Sequence, residues 1–177
     1  MAMTGTILAG GENRRIPLLK GHIEINGKKI IDSSVNLMRN LFGRAVISTN
    51  TPELYFYCGA PMIGDTINQR GPLTGIFSVL SNIKDDAIFV VACDMPFLNG
   101  QLMKYMVDKY NNFNSGTNKW DAVIPVFEGK PQPLFGIYSK NILGVIEERL
   151  NKGLKRLKDL LTEINVLYIK EEEVRQI

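Results

Sequence analysis

Gly10-Gly11, Arg14-Arg15 and Lys20 fall within one short stretch of this chain, directly after the apolar run Thr6-Ile7-Leu8-Ala9. Two glycines after a strand let the backbone turn tightly and bring bare amide groups against a ligand. Three cations in the same loop add positive charge, and backbone donors with clustered cations suit a triphosphate. A tight turn with exposed basic residues is the bland alternative, and Gly-Gly alone carries little weight. The stretch is not a P-loop, because no glycine-lysine-serine/threonine run is present, nor is it the dinucleotide fingerprint.

Asp94 follows directly on the unbroken apolar run Ala87-Ile88-Phe89-Val90-Val91-Ala92 and Cys93. A carboxylate there is held rigidly where a buried strand ends. Magnesium prefers a few carboxylate oxygens and shares its other positions with water and phosphate, so one such aspartate can anchor a metal that bridges a triphosphate. The structural alternative is a turn or helix-capping aspartate, with Pro96 close behind. Asn50 and Asp65 also end strand-like runs and share that ambiguity: each caps a turn or hydrogen-bonds a base or ribose. Arg70-Gly71-Pro72-Leu73-Thr74-Gly75 reads as a helix start that lets backbone approach a ligand closely, or as a purely structural N-terminus. His22 is the only histidine and is assigned no role; no nucleophile motif accompanies it. The run Glu171-Glu172-Glu173 reads as a solvated face.

These residues need elements to position them. Short apolar runs at Thr6–Ala9, Ala45–Thr49, Pro61–Gly64, Ala87–Ala92, Ala122–Val126, Leu134–Tyr138 and Ile164–Ile169 read as strands. Between them lie helical stripes: Ile31, Val35, Met38 and Phe42, stopped by Gly43; Ile76, Val79, Leu80 and Ile83; Leu102, Met106 and Tyr110; Ile142, Ile146 and Leu150. A short basic helix is expected from about Lys155 to Leu161, and the polar segment Asn111 to Lys119 reads as a loop. Strands alternating with helices predict a mostly parallel sheet covered on both faces, with ligands beyond the carboxyl ends of the strands. The first strand-like runs end in Gly10-Gly11, Asn50, Asp65 and Asp94, at the edge where a ligand should lie.

Length and composition bound the rest. A chain of 177 residues with 45% hydrophobic and 22% charged residues fits one ordinary globular domain. The net charge of +3 is scattered, which argues against nucleic acid as the main partner and fits a small anionic ligand. Cys58 and Cys93 match no metal spacing, and Cys93 inside an apolar run reads as a core residue. No secretory signal and no membrane-length apolar run is seen, so the expected location is the cytoplasm.

Taken in order, these segments resemble the molybdenum cofactor guanylyltransferases, the MobA family. The resemblance is carried by Leu8-Ala9-Gly10-Gly11 with Arg14, Arg15 and Lys20; by Asp65 followed by Gly71-Pro72-Leu73-Thr74-Gly75; by Ala92-Cys93-Asp94-Met95-Pro96-Phe97; and by Gln132-Pro133-Leu134-Phe135-Gly136-Ile137-Tyr138. It implies a Rossmann-like three-layer α/β sandwich of the nucleotide-diphospho-sugar transferase type. It implies transfer of GMP from GTP to the terminal phosphate of molybdopterin, with release of pyrophosphate and with Mg2+ as cofactor. Leu8, Ala9, Gly10, Gly11 and Gly71 would then hold the nucleotide, Asn50 and Asp65 the nucleoside, Arg15 and Lys20 the phosphates, and Asp94 the metal and phosphates. Molybdoenzymes or other cofactor-assembly proteins would be the partners. The family usually has glycine where Pro17 stands and aspartate where Leu19 stands, and its Asn-rich segment would begin near Ile177. A cytidylyl or sugar-1-phosphate nucleotidylyltransferase, or a non-catalytic nucleotide-binding module, stays open as an alternative.

Overall fold

The computed structural model of the chain describes residues 2–10, 20–114 and 119–177. Its strands are β1 (Met3–Leu8), β2 (Glu24–Ile25), β3 (Lys28–Lys29), β4 (Ala45–Ser48), β5 (Met62–Ile63), β6 (Ala87–Ala92), β7 (Ala122–Phe127), β8 (Lys130–Pro131), β9 (Phe135–Ser139) and β10 (Val166–Ile169). Its α-helices are α1 (Ile30–Phe42), α2 (Pro72–Asn82), α3 (Gly100–Asn114), α4 (Leu143–Asn151), α5 (Leu157–Leu160) and α6 (Glu171–Val174).

The unbroken apolar run of β6 decides the architecture, because a strand with no polar face must be covered on both sides. Ala87, Phe89 and Val91 join a core with Ile31, Val35 and Met38 of α1 and Met103 and Met106 of α3. The alternate residues Ile88 and Val90 join a second core with Ile76 and Val79 of α2, Ile146 of α4 and Leu160 of α5. The result is the expected three layers of helices, sheet and helices.

The eight-stranded sheet runs β10-β7-β9-β6-β1-β4-β5, with β8 paired to β7. β9 is antiparallel to both neighbours, β6 and β7, and every other adjacent pair on that path is parallel. Chain connectivity explains the exception. β7 turns back into β8 through a hairpin whose turn residues Glu128 (φ 48°) and Gly129 (φ 69°) both adopt left-handed backbone, and the chain runs on from β8 into β9. Two-residue turns of that kind join antiparallel strands only.

Some local outcomes differ from the sequence reading. α3 runs on to Asn114, so the first residues of the segment expected to be a loop, Asn111 to Asn114, continue the helix instead. Asn26 (φ 53°) and Gly27 (φ 74°) form the turn of a small β2–β3 hairpin, although Asn-Gly is a hairpin signal that the sequence reading passed over. The acidic run is not simply solvated. Glu171 accepts from the Glu128 backbone at 2.8 Å and from Arg175, while Glu173 accepts from the Tyr105 hydroxyl at 2.6 Å and pairs with Lys109 at 3.2 Å. These bonds draw the Glu173 carboxyl below its ordinary range, with the Tyr105 hydroxyl the main cause. Among the described residues no helix is long and apolar enough to cross a membrane.

α1 lies close on β1 because Gly5 has no side chain. A β-carbon there would sit 2.7 Å from Cβ of Met38, which is fully buried. Gly5→Ala is therefore expected to push the helix off the sheet and lower stability by ~1–3 kcal/mol. Urea unfolding of the two proteins checks this; an unchanged midpoint would show that the packing yields.

Candidate active site

Strand register brings the site together. Leu8 pairs with Ser48 on one side and Ala92 on the other, and Ser48 pairs with Ile63. Two residues beyond that shared row stand Gly10, Asn50, Asp65 and Asp94, one for each of four parallel strands. The chain moves outward from β1 to β4 and β5, then crosses back to β6 on the other side of β1. That reversal opens a crevice beyond the carboxyl ends of the strands. The crevice is a cleft of about 460 Å³, and all four residues line it.

Asn50 and Asp65 lock the outer end. The Asn50 side-chain amide donates to the Asp65 carboxylate at 2.6 Å, and its carbonyl accepts the Asp65 backbone N–H at 2.7 Å. This pairing orients the Asp65 carboxylate while leaving it acceptor capacity for a ligand. The next residue is also held: the Thr66 N–H donates to the buried Ser78 hydroxyl at 2.9 Å.

Opposite the strand ends, the first turn of α2 enters the cleft through Gly71, Pro72 and Gly75. Gly71 has φ 142°, a backbone that favours glycine, and Pro72 starts the helix where its missing N–H costs nothing. No side chain caps this terminus. Such helix starts attract anions through their N–H groups and dipole. A β-carbon on Gly75 would lie 2.8 Å from Ser48 Oγ and 3.2 Å from Leu8 Cδ2, so glycine here lets α2 approach the strand ends.

Tyr55 closes one wall. It is buried, and burial, with smaller contributions from Cys93 and Cys58, pushes its phenol up to about 12, so it stays neutral. Behind it, the His22 ring stands edge-on to Tyr55 and lies 3.1 Å from the Leu54 carbonyl.

A second groove of about 530 Å³ adjoins the cleft and shares Pro72 and Leu134 with it. Lys155, Arg156 and Lys158 line it, with Asp159 the acidic residue among them. Three cations against one carboxylate make this groove electropositive, a surface that attracts anionic groups.

Leu8, Ala9, Gly10, Asn50, Asp65, Gly71 and Asp94 all line this one cleft. Gly11, Arg14 and Arg15 lie outside the described residues, and Lys20 is described only in its backbone, at the start of a short 3-10 helix. Arg70 and Tyr55 line the cleft without having been assigned to it. Arg70 could have been read from its place just before the Gly-Pro helix start; Tyr55 had no comparable signal. Cys93, read as a core residue, is half-buried: it packs against the core and also lines the cleft beside Asp94, because the strand ends at Ala92. Neither cysteine is in a disulfide. Among the described residues no three His, Cys, Asp or Glu side chains converge as a metal cage. Asp94 fits the other arrangement, in which one carboxylate shares magnesium with phosphate and water.

The family model described as the MobA-like NTP transferase domain matches residues 5–166. This chain belongs to the MobA-like NTP transferase family. A relative named a probable molybdenum cofactor guanylyltransferase, from Peptoclostridium acidaminophilum, is 32% identical over 170 residues, covering 96% of this chain and 77% of its own. The crystal structure of molybdopterin-guanine dinucleotide biosynthesis protein A from Archaeoglobus fulgidus superposes with a TM-score of 0.82 at 24% identity, over 98% of this chain and 86% of its own. The fold reaches further: a CMP:2-keto-3-deoxy-manno-octonic acid synthetase complexed with CTP gives a TM-score of 0.74 at 12% identity, over 96% of this chain and 90% of its own. The sheet and layers are therefore those of nucleotide-diphospho-sugar transferases.

The Asn50–Asp65 pair gives this MobA-like chain a pH-dependent test. Asn50→Asp replaces the amide with a second carboxylate facing the first. Like charges at that range raise the pKa of the pair, and a shared proton restores the bond. Nucleoside triphosphate binding should weaken about tenfold at pH 8 and recover as pH falls toward 5. Calorimetry at both pH values checks this; equal weakening at both would show that the pair does not organise the site.

Proposed function

We propose that this chain transfers GMP from GTP to the terminal phosphate of molybdopterin and releases pyrophosphate. The observation that carries the reading is the convergence of Gly10, Asn50, Asp65 and Asp94 in one cleft with the uncapped start of α2. Membership of the MobA-like family supports it, as do relatives named molybdenum cofactor guanylyltransferase. The cleft takes the nucleotide. The adjoining groove takes the acceptor, whose terminal phosphate faces Lys155, Arg156 and Lys158.

In the reaction an acceptor phosphate oxygen attacks the α-phosphorus of GTP. A phosphorus–oxygen bond forms, the α–β anhydride bond breaks, and pyrophosphate leaves with the bonding pair. The acceptor is itself the nucleophile, so the protein supplies position and charge rather than a covalent intermediate. Leu8, Ala9 and Gly10 pass along the nucleotide, and Asn50 and Asp65 hold its nucleoside. Gly71 opens the first turn of α2 toward the phosphates. Gly11 follows Gly10 in sequence and is assigned with it to the nucleotide, and Arg15 and Lys20 are the cations for the triphosphate. Asp94 would hold Mg2+, which when bound supplies charge neutralisation at the phosphates. Neither Cys58 nor Cys93 is in a disulfide, and the location proposed is a reducing compartment, the cytoplasm.

A CTP-using reading deserves a test because the fold is shared with a protein complexed with CTP. Calorimetry should show GTP binding strengthened by magnesium, with CTP bound far more weakly. CTP binding equal to or tighter than GTP binding would replace the guanylyl reading with a cytidylyl one. Asp94→Ala should then lower turnover of GTP and molybdopterin by about 100-fold or more while the protein remains folded. Pyrophosphate release at the unaltered rate would remove Asp94 from the reaction.

A further inference from the structure

We propose that Gln69 and Arg149 are positioning residues that fix the basic groove against the nucleotide cleft and so set how tightly the acceptor phosphate is held. The proposal rests on the acceptor reading of that groove.

Gln69 directly precedes Arg70 and Gly71 of the cleft wall. Its side-chain amide donates at 2.6 Å to the carbonyl of Leu150, 81 residues away in the last turn of α4. Its side-chain oxygen is buried and has no hydrogen-bond partner among the described residues. Turning the amide over would set that oxygen against the Leu150 carbonyl, so the orientation is fixed by the acceptor it meets. An apolar side chain of similar length would fill the same space without burying an orphan acceptor. The amide is therefore explained by the bond it makes, not by the volume it fills.

Arg149, beside Leu150, works from the other side. It is 4% exposed. Its guanidinium bonds to Glu163 and lies 3.9 Å from Asp159. Its carbonyl accepts the N–H groups of Lys152 at 3.1 Å and Leu154 at 2.9 Å, around a turn at Gly153 (φ 73°). The segment carrying Lys155, Arg156 and Lys158 thus starts and ends on Arg149. A buried arginine needs those carboxylates, which ties the segment down.

Gln69, the end of α4, Arg149 and its two carboxylates form one continuous path from the cleft wall to the groove's cations. In-line transfer between two bound phosphates depends on their relative placement, and small displacements are costly. Gln69 touches neither phosphate on this reading, so its loss should act through the groove.

Gln69→Met keeps the volume and removes the bond. Its Michaelis constant for molybdopterin should rise about five- to tenfold, while that for GTP and the melting temperature change little. Arg149→Lys should move the same constant in the same direction. A parallel rise for both substrates, or a fall in kcat alone, would overturn the proposal. A second readout needs no turnover: inorganic phosphate titrated into isotope-labelled protein, followed at the backbone amides of Arg156 and Lys158. Unaltered protein should saturate at several-fold lower phosphate than Gln69→Met. No response in the unaltered protein, or equal responses in both, would also overturn it. If phosphate binding weakens as expected but the unaltered protein makes no guanine dinucleotide, the positioning role stands and the guanylyl reading falls.

Discussion

The pairing of β1 with β4 and β6, extended by β4 with β5, is the constraint on which the rest depends. Hydrogen-bonded register puts Leu8, Ser48, Ile63 and Ala92 in one row. Whatever lies two residues further on is then presented together. A one-residue slip of β6 would exchange the residues packed into the two cores, so this strand, apolar on both faces, is held in register by the fit of its side chains on each side. The precision of the cleft is thus inherited from core packing. Ile7, Ile47, Phe89 and Val91 fix the position of polar groups they do not touch.

The two ends of the sheet use polar groups differently. At the amino end of β1, the Thr4 hydroxyl donates to Asp85 at 2.6 Å, and Arg44 pairs with the same carboxylate at 3.5 Å. That aspartate is nearly buried and its partners belong to the protein. At the carboxyl end, Asn50 and Asp65 hold one another yet line an open cleft with Asp94. The difference is that between a carboxylate enclosed by the fold and carboxylates that face an open cleft, and the cleft lies where open α/β sheets generally place their sites.

Much of this was legible in the residues. Apolar runs and helical stripes marked the principal strands and helices, and small or polar residues at the strand ends marked the cleft. Periodicity says that a segment is a strand but not which strand it pairs with. So the insertion of β9 between β6 and β7, against the direction of both, could not be read from Phe135-Gly136-Ile137-Tyr138 alone. The hairpin at Asn26-Gly27 was readable and was missed because its strands are only two residues each. The Glu171-Glu172-Glu173 run looked solvent-facing because its partners, Tyr105, Lys109 and the Glu128 backbone, are distant in sequence. The Gln69–Leu150 bond was hidden for the same reason.

The fold itself does not choose the base or the acceptor, since it is shared with a protein complexed with CTP. The choice must lie in the decoration of the carboxyl edge. A cleft for a triphosphate that carries two carboxylates would repel its ligand unless both were accounted for. Asp65 is compensated in part by the Asn50 amide and faces the nucleoside end on the proposed reading. Asp94 then stands where a metal carried by the phosphates would convert repulsion into attachment. The cations divide in the same way, with Arg70 at the cleft and Lys155, Arg156 and Lys158 at the groove. A cleft that presents Arg70 with two carboxylates and a groove with three cations, joined through Pro72 and Leu134, fit on the proposed reading a metal-bound nucleotide and an acceptor phosphate meeting at one phosphorus.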